Sequence, residues 1–443
     1  MTQGTPADTQ SSSAHTEPAT EEAVEINIAD PHFMDRAHAI FADLQARGPV
    51  VRVQFPFGEQ WPGLFPHDAF FVTRYDEVVE TLLSDRFSVD PQFALTPEQR
   101  ERAPIVAEEF RPLSRNLLSL DQPDHTRLRK LVQPSFTGRA IEALRGKIQR
   151  IVDDLLDTAK RDAAARGEAE GERQMDLIEA FAYPMPVTVI SDMLGIPRED
   201  REKIRGWTEN LLRLDRRRGR ELDADARAGL TAFTAYLRDL FARKRRNPAD
   251  DMISQLLQAE EEGDRLDEDE ILAMVFLLFL AGHVTTVNLV GSAVVALLTH
   301  PDQLAAFQAD PELAKNVVEE TLRFWGPVDF ISRRFATNDL EIAGTPIARG
   351  DAVMVGLAAA NRDPEHFANP DAFDITRAHA NHNVAFGKGI HVCLGAPLAR
   401  LEGQIALSTL FRRFPRLRLA VPAEELRWGG SFLRGFARLP VLF

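Results

Sequence analysis

Apolar residues return at helical spacing between residues 148 and 156 and again between 230 and 240, and the same period governs most patterned segments from about 76 to 325. The stretch 271–298 departs from that pattern, being apolar on nearly every face. Such a helix lies either in a large core or in lipid, and roughly 20 apolar residues suffice to cross a bilayer. Gly282, His283, Thr285, Thr286 and Asn288 interrupt it, so the unbroken run covers only 271–281. The pattern therefore predicts a long buried helix, roughly 42 Å at 1.5 Å per residue. Asp267 and Glu270 resemble a capping box at its start, and Pro301 marks its end. Strand signals are few: 49–55 and 69–73 near the N-terminus, others after Arg323 and at the C-terminus. Residues 163–173, charged and alanine-rich with two glycines, read as a loop. The outcome is a mainly α architecture with small β-sheets, of the α+β class.

Composition narrows the choice. Hydrophobic residues make up 44 % of the 443, ample for a sizeable core, and the length allows one large domain or two smaller ones. Residues 1–23 are rich in Ser, Thr, Ala and Glu, with neither a basic start nor an apolar centre. They read as a disordered tail, not a signal peptide or membrane anchor. A net charge of −15 argues against nonspecific nucleic-acid or anionic-membrane binding. Two basic clusters stand against it, one at 213–220 with Arg216, Arg217, Arg218 and Arg220, the other at 243–246. Solvated helix ends account for both, since cations favour helix C-termini.

The chemistry gathers around Cys393, the single cysteine. It excludes internal disulfides and multi-cysteine metal sites. It sits in Phe386-Gly387-Lys388-Gly389-Ile390-His391-Val392-Cys393-Leu394-Gly395, where Gly387 and Gly389 permit a tight turn or close backbone approach to a flat ligand. This stretch resembles the haem-binding signature of the cytochrome P-450 family, Phe-Gly-x-Gly-x-His-x-Cys-x-Gly, at every fixed position. The resemblance implies that Cys393 is the axial thiolate of haem b, favouring O–O cleavage, with His391 holding a haem propionate and the helix 396–407 backing the haem. Glu320 and Arg323 match the family's Glu-x-x-Arg helix at a pairing distance of i,i+3. By the same resemblance Arg334 is a second propionate ligand. Asp124 to Arg129 resembles the family's His-x-x-x-Arg site, and the resemblance implies that His125 and Arg129, on one helical face at i,i+4, donate to an anionic propionate. Phe386, Gly387, Gly395 and Ala281 complete the implied haem surround.

The resemblance runs from about residue 30 to the end. It implies a single catalytic domain over 24–443 with the P-450 fold, haem lying between the long central helix and the Cys393 loop. Ala281 to Thr286 resembles the family's oxygen-activation motif, with Gly282 leaving room for dioxygen and Thr285 supplying the hydroxyl that meets it. The acid usual before that threonine is Val284, which can relay no proton. Protons must then arrive by ordered water, Thr285, His283 or a polar group of the substrate. The implied pocket draws on Leu277, Leu280, Ala281, Phe330 and Phe432, with Asp329 facing either the ligand or solvent, and with the loop 87–118 and a lid at 182–222 contributing. A hydrophobic, middle-sized substrate fits these positions. Arg127, Lys130, Lys388 and Arg400 form a patch suited to an acidic ferredoxin, and the lid cluster at 213–220 suits a carrier protein or anionic substrate.

Three functions stay open at this point. The first is a cytoplasmic haem-thiolate monooxygenase fed by ferredoxin and ferredoxin reductase, acting on a free or carrier-bound secondary metabolite. The second is a peroxide-dependent haem-thiolate enzyme. The third is a recruitment module of P-450-like form without chemistry, against which the intact Cys393 setting speaks.

Overall fold

The computed structural model describes residues 22–56, 67–102, 108–212, 224–258, 260–261, 264–332, 334–429 and 433–443; of 102, 208–212, 260–261 and 264–265 only the backbone is described. The basic cluster at 213–220 and Phe432 lie outside these residues.

One helix, Glu268–Thr299, organises the rest. Asp267 caps it by accepting from the Glu270 N–H while Glu270 reaches back to the Asp267 N–H, as the sequence predicts. Its length and composition would allow a membrane crossing, but 61 % of its most apolar window is buried within the protein. It is a core helix, ringed by Pro184–Leu194, Ala314–Trp325 and Ala396–Arg413. Being covered on several sides, it needs apolar residues on several sides, which explains the missing polar stripe.

The sheets are small and peripheral. Val24–Glu25, Val50–Gln54, Asp68–Val72 and Val353–Val355 form one sheet in that order, with the middle pair antiparallel and the outer pairs parallel. Arg418–Leu419, Pro440–Leu442 and Gln174–Asp176 form another. The predicted helices appear as Arg145–Ala165 and Ala224–Arg246, and the predicted loop follows the first of them. The basic cluster at 243–246 closes the second, where Arg243 pairs with Asp239 at 3.2 Å, Lys244 with Asp251 at 2.5 Å and Arg245 with Glu268 at 2.9 Å. It knits helices together and does not stand free.

The Glu320–Arg323 pair becomes a buried clamp. Arg323 Nε and Nη2 each donate to Glu320 at 2.8 Å. Its remaining N–H groups reach the carbonyls of Asn361 at 3.0 Å, Pro370 at 2.8 Å and Ala372 at 2.9 Å, so all five donors are engaged. Arg377 Nε joins Glu320 at 3.1 Å from both oxygens. The irregular segment 361–377 is thereby fastened to Ala314–Trp325, ahead of the Cys393 loop.

Candidate active site

Cys393 is presented by a turn that its own backbone closes: its N–H donates to the Phe386 carbonyl at 2.9 Å. Gly387 and Gly389 have φ of 67° and 73°, which side-chain-bearing residues rarely adopt. A side chain at Gly389 would also meet the Leu82 carbonyl oxygen at 2.5 Å. Gly395 has an ordinary φ of −81°, and it contributes an N–H directed at the sulfur. Burial raises the Cys393 thiol pKa, while the Gly395 and Ala396 N–H groups and the Arg129 and Arg400 guanidinium groups draw it back down. Arg400 lies over the Phe386 ring at 4.6 Å.

Beside the thiol lies a cationic and imidazole group. His125 is 2 % exposed, and neither ring nitrogen meets a hydrogen-bond partner among the described residues. Burial, with His391 and Arg129 nearby, lowers its pKa to about 4, so it is neutral at physiological pH. Its ring meets the His391 ring edge-on at 4.5 Å. His391 donates from Nδ1 to the Leu117 carbonyl at 3.1 Å, leaving Nε2 3.7 Å from Asp121. Arg334 is buried, which brings its pKa down to about 10 against the pull of Asp121. A buried guanidinium and two imidazoles with unsatisfied nitrogens suit the carboxylates of a flat anionic ligand. Arg129 has an additional task that its spacing from His125 does not reveal. Its Nη1 donates to the Ile390 and Val392 carbonyls at 3.0 and 2.9 Å, holding the Cys393 turn in place.

The central helix offers one accessible face in an otherwise buried run. Apart from Gly282, which is also partly open, the positions left open to varying degrees are Leu277, Leu280, Ala281, Val284, Thr285 and Asn288. Their spacing of three and four places them on a single stripe. Thr285 Oγ1 donates to the Ala281 carbonyl at 3.0 Å, four residues back along the helix. Asn288 abuts the C-terminal segment, since a Cβ at Gly435 would fall 2.0 Å from its Oδ1.

Several expected residues take other places. A Cβ at Gly282 would meet the Ile190 side chain at 3.0 Å, so the lack of a side chain here lets the neighbouring helix Pro184–Leu194 approach. His283 is 1 % exposed, donates from Nδ1 to the Phe279 carbonyl at 2.7 Å, and packs against Tyr183. Burial lowers its pKa to about 4. Two residues from Thr285 is about 200° around the helix, so His283 is turned away from the open face and is no proton donor to it. Phe330 packs between Phe41 and Phe71, with ring centroids at 6.3 and 6.0 Å, as core and not as pocket lining. Asp329 meets neither ligand nor solvent: buried, it accepts from Arg434 Nε at 3.0 Å and Nη2 at 2.9 Å. In the supposed ferredoxin patch, Arg127 pairs with Glu270 and Arg400 with Glu319, which leaves the patch less basic than its sequence suggests.

One buried acid escaped the sequence reading altogether. Glu402, on Ala396–Arg413, has no exposed surface. Neither carboxyl oxygen has a partner at hydrogen-bonding geometry. Burial pushes its pKa up to about 8, and the Thr286 hydroxyl draws it back only in part. Its place four residues after the buried Leu398 was the available signal. An unfolded glutamate ionises near pH 4.3, whereas the folded one keeps its proton to about 8. Stability therefore falls as pH rises between those values and levels off above them. At neutral pH Glu402→Gln is expected to stabilise the protein by ~3 kcal/mol, with no gain near pH 4; denaturant unfolding at both pH values measures this.

These features coincide with what known proteins show. The family model named Cytochrome P450 matches residues 233–418. The chain is 43 % identical over 427 residues to Cytochrome P450 107B1 of Saccharopolyspora erythraea, covering 95 % of this chain and 98 % of that one. It is 40 % identical over 417 residues to the polyketide biosynthesis cytochrome P450 PksS of Bacillus subtilis, covering 93 % and 97 %. The solved structure of P450BioI in complex with an acyl carrier protein bearing hexadec-9Z-enoic acid superimposes with a TM-score of 0.80 at 35 % identity, over 94 % of this chain and 100 % of that one. The Cys393 turn, the long core helix and these relatives together define the class, a haem-thiolate oxygenase. The chain belongs to the cytochrome P450 family. It is a monooxygenase, and the haem of that family fits Cys393 and the His125, His391 and Arg334 group.

Proposed function

We propose that this protein is a haem b monooxygenase that takes NAD(P)H-derived electrons from a ferredoxin and its reductase in the cytoplasm. It inserts one atom of dioxygen into a C–H or C=C bond of a hydrophobic, middle-sized secondary metabolite, free or bound to a carrier protein. The observation that carries this reading is the open face of the central helix, apolar at Leu277, Leu280, Ala281 and Val284 with one hydroxyl at Thr285. That surface orients an apolar substrate by exclusion of water, and it gives a proton one defined stopping point. Relatives named for polyketide biosynthesis and for an acyl-carrier ligand support the substrate class.

Cys393 would hold the haem iron, which would supply oxygen activation and O–O cleavage. The Gly395 and Ala396 N–H groups temper the charge on the sulfur. His125, His391 and Arg334 would hold the haem carboxylates. Thr285 must release the Ala281 carbonyl before its hydroxyl proton can turn to the open face, exchanging one hydrogen bond worth ~1 kcal/mol. Thr285→Val is therefore expected to leave substrate affinity within about twofold while product formation per electron falls on the order of tenfold or more, with hydrogen peroxide released instead. Product and peroxide assayed together measure it.

Lack of an acid at 284 favours a second reading, turnover driven by peroxide alone. Purified protein incubated with ferredoxin, reductase and a polyketide macrolactone panel tests both. Spin-state titration finds the ligand, and ferredoxin-supported turnover of it upholds the proposal. Turnover at the same rate with peroxide and no ferredoxin replaces it with the second reading.

A further inference from the structure

Away from the thiol turn, the irregular segment 366–382 walls a surface cleft of about 470 Å³ to which the oxygenase reaction gives no task. Three exposed histidines line it, His366, His379 and His382, and none of their rings makes a side-chain hydrogen bond among the described residues. The His379 and His382 rings stack at 4.8 Å, and His382 lies 6.4 Å from His366. Other groups hold them in place. His366 lies flat on the Tyr75 ring at 3.4 Å, and the Tyr75 hydroxyl donates to the His382 carbonyl at 2.7 Å. His379 and Asn369, with φ of 64° and 48°, turn the chain through left-handed backbone at both positions. The lining otherwise holds one cation and one anion, Arg377 and Asp374. Arg377 directs its donors to Glu320 and to the carbonyls of Ala368, Asn369 and Ala372. Asp374 Oδ1 accepts from the Thr376 N–H at 2.9 Å and hydroxyl at 2.6 Å. With neutral imidazoles the lining therefore carries no net charge. The rings stack and do not converge, and no group of three His, Cys, Asp or Glu among the described residues is placed to hold a metal ion.

We propose that this cleft is a proton-gated binding site for a tetrahedral oxyanion of the phosphate or sulfate kind. The site lies apart from the oxygenase reaction and does not rest on it. Histidine is the side chain that changes charge between pH 5 and 8, and each proton taken up adds one positive charge and one N–H donor to the lining. Three imidazolium ions this close repel one another, and an anion bound among them relieves the repulsion. Proton uptake and anion uptake therefore reinforce each other. Asn369 adds a neutral N–H donor. Charges on the neighbouring elements set the balance. For His366, burial opposes the charged form most and lowers its pKa; Asp76 on Tyr75–Leu83 and Asp363 favour the charged form, while His382 and Lys388 of the Cys393 turn oppose it. Asp363 is itself paired with Arg74 at 3.2 Å. Because the segment is fastened to Glu320 through Arg377 and leads into the Cys393 turn, an occupied cleft raises the unfolding midpoint of the holoenzyme.

The test titrates the holoenzyme with sulfate at pH 5.5 and at pH 8, exchanged against chloride at constant ionic strength. Calorimetry in two buffers of different ionisation heat counts the protons taken up. Sulfate keeps its charge over this range, so a pH dependence belongs to the protein. Binding at pH 5.5 is expected, with net proton uptake and a raised unfolding midpoint. At pH 8 the affinity is expected to be about 30-fold weaker or more, the factor by which one histidine of ordinary pKa loses its proton across that span. His379→Gln and His382→Gln are each expected to weaken binding at pH 5.5 on the order of tenfold. His32→Gln, at an exposed histidine outside the cleft, is expected to leave it unchanged. Inorganic phosphate and glycerol phosphate, compared at pH 5.5, tell a free anion from a phosphoryl group on a larger molecule, and binding of either upholds the site. No sulfate binding at pH 5.5, equal binding at both pH values, or binding that survives both cleft substitutions overturns the proposal. Zinc held more tightly than sulfate, and lost in the same two variants, overturns it in favour of a cation.

Discussion

Cys393→Ala is expected to leave the chain folded and to reduce monooxygenase turnover to background. The turn around residue 393 is held by elements that the thiol does not supply: the backbone bond to Phe386, the Arg129 donations to Ile390 and Val392, and the left-handed Gly387 and Gly389. Replacing the thiol side chain by a methyl group removes one heavy atom and leaves these backbone contacts in place. Far-ultraviolet circular dichroism and the unfolding midpoint are therefore expected to change little. The chemistry has no substitute, since no other cysteine exists in the chain. Any porphyrin still bound would lack the thiolate that favours O–O cleavage. A variant that kept turnover would contradict the assignment of the ligand.

The second large effect is structural. Glu320→Ala is expected to destabilise the protein by about 3–5 kcal/mol, because it strands two buried cations at once. Arg323 has no exposed side-chain surface and Arg377 only 8 %, and both direct donors at the lost carboxylate. The Asp374 N–H loses an acceptor too, formerly 3.0 Å from Glu320. The segment 361–377 would loosen, and with it the approach to the Cys393 turn. Haem retention is expected to fall in parallel with the denaturation midpoint. Glu319→Ala is the natural comparison, since its partner Arg400 is 33 % exposed and solvent can take over the charge. Equal losses for the two variants would contradict the clamp.

Much of this molecule is written in local signals. The central helix starts at the cap that Asp267 and Glu270 announce and ends at His300, before Pro301. The glycines of the Cys393 turn are where left-handed backbone is needed, so composition and geometry agree there. Residues whose roles depend on distant partners were not legible. Asp329 looks available for a ligand until Arg434, 105 positions later, folds onto it. Phe330 looks like pocket lining until Phe41 and Phe71 enclose it. Gly282 has ordinary helical surroundings in sequence, and its need for no side chain comes from Ile190 on another helix. His283 could have been placed correctly from the helical period alone, which sets it across the helix from Thr285. Glu402 lay hidden because an acid within a helix reads as solvent-facing until the apolar positions around it are phased.

The most direct measurement is the absorption spectrum of the reduced, purified protein under carbon monoxide. Ligation of haem iron by the Cys393 sulfur predicts a Soret band shifted strongly to the red, absent from Cys393→Ala. A protein that binds no porphyrin, or one whose band lies unshifted in wild type and variant alike, would contradict the account.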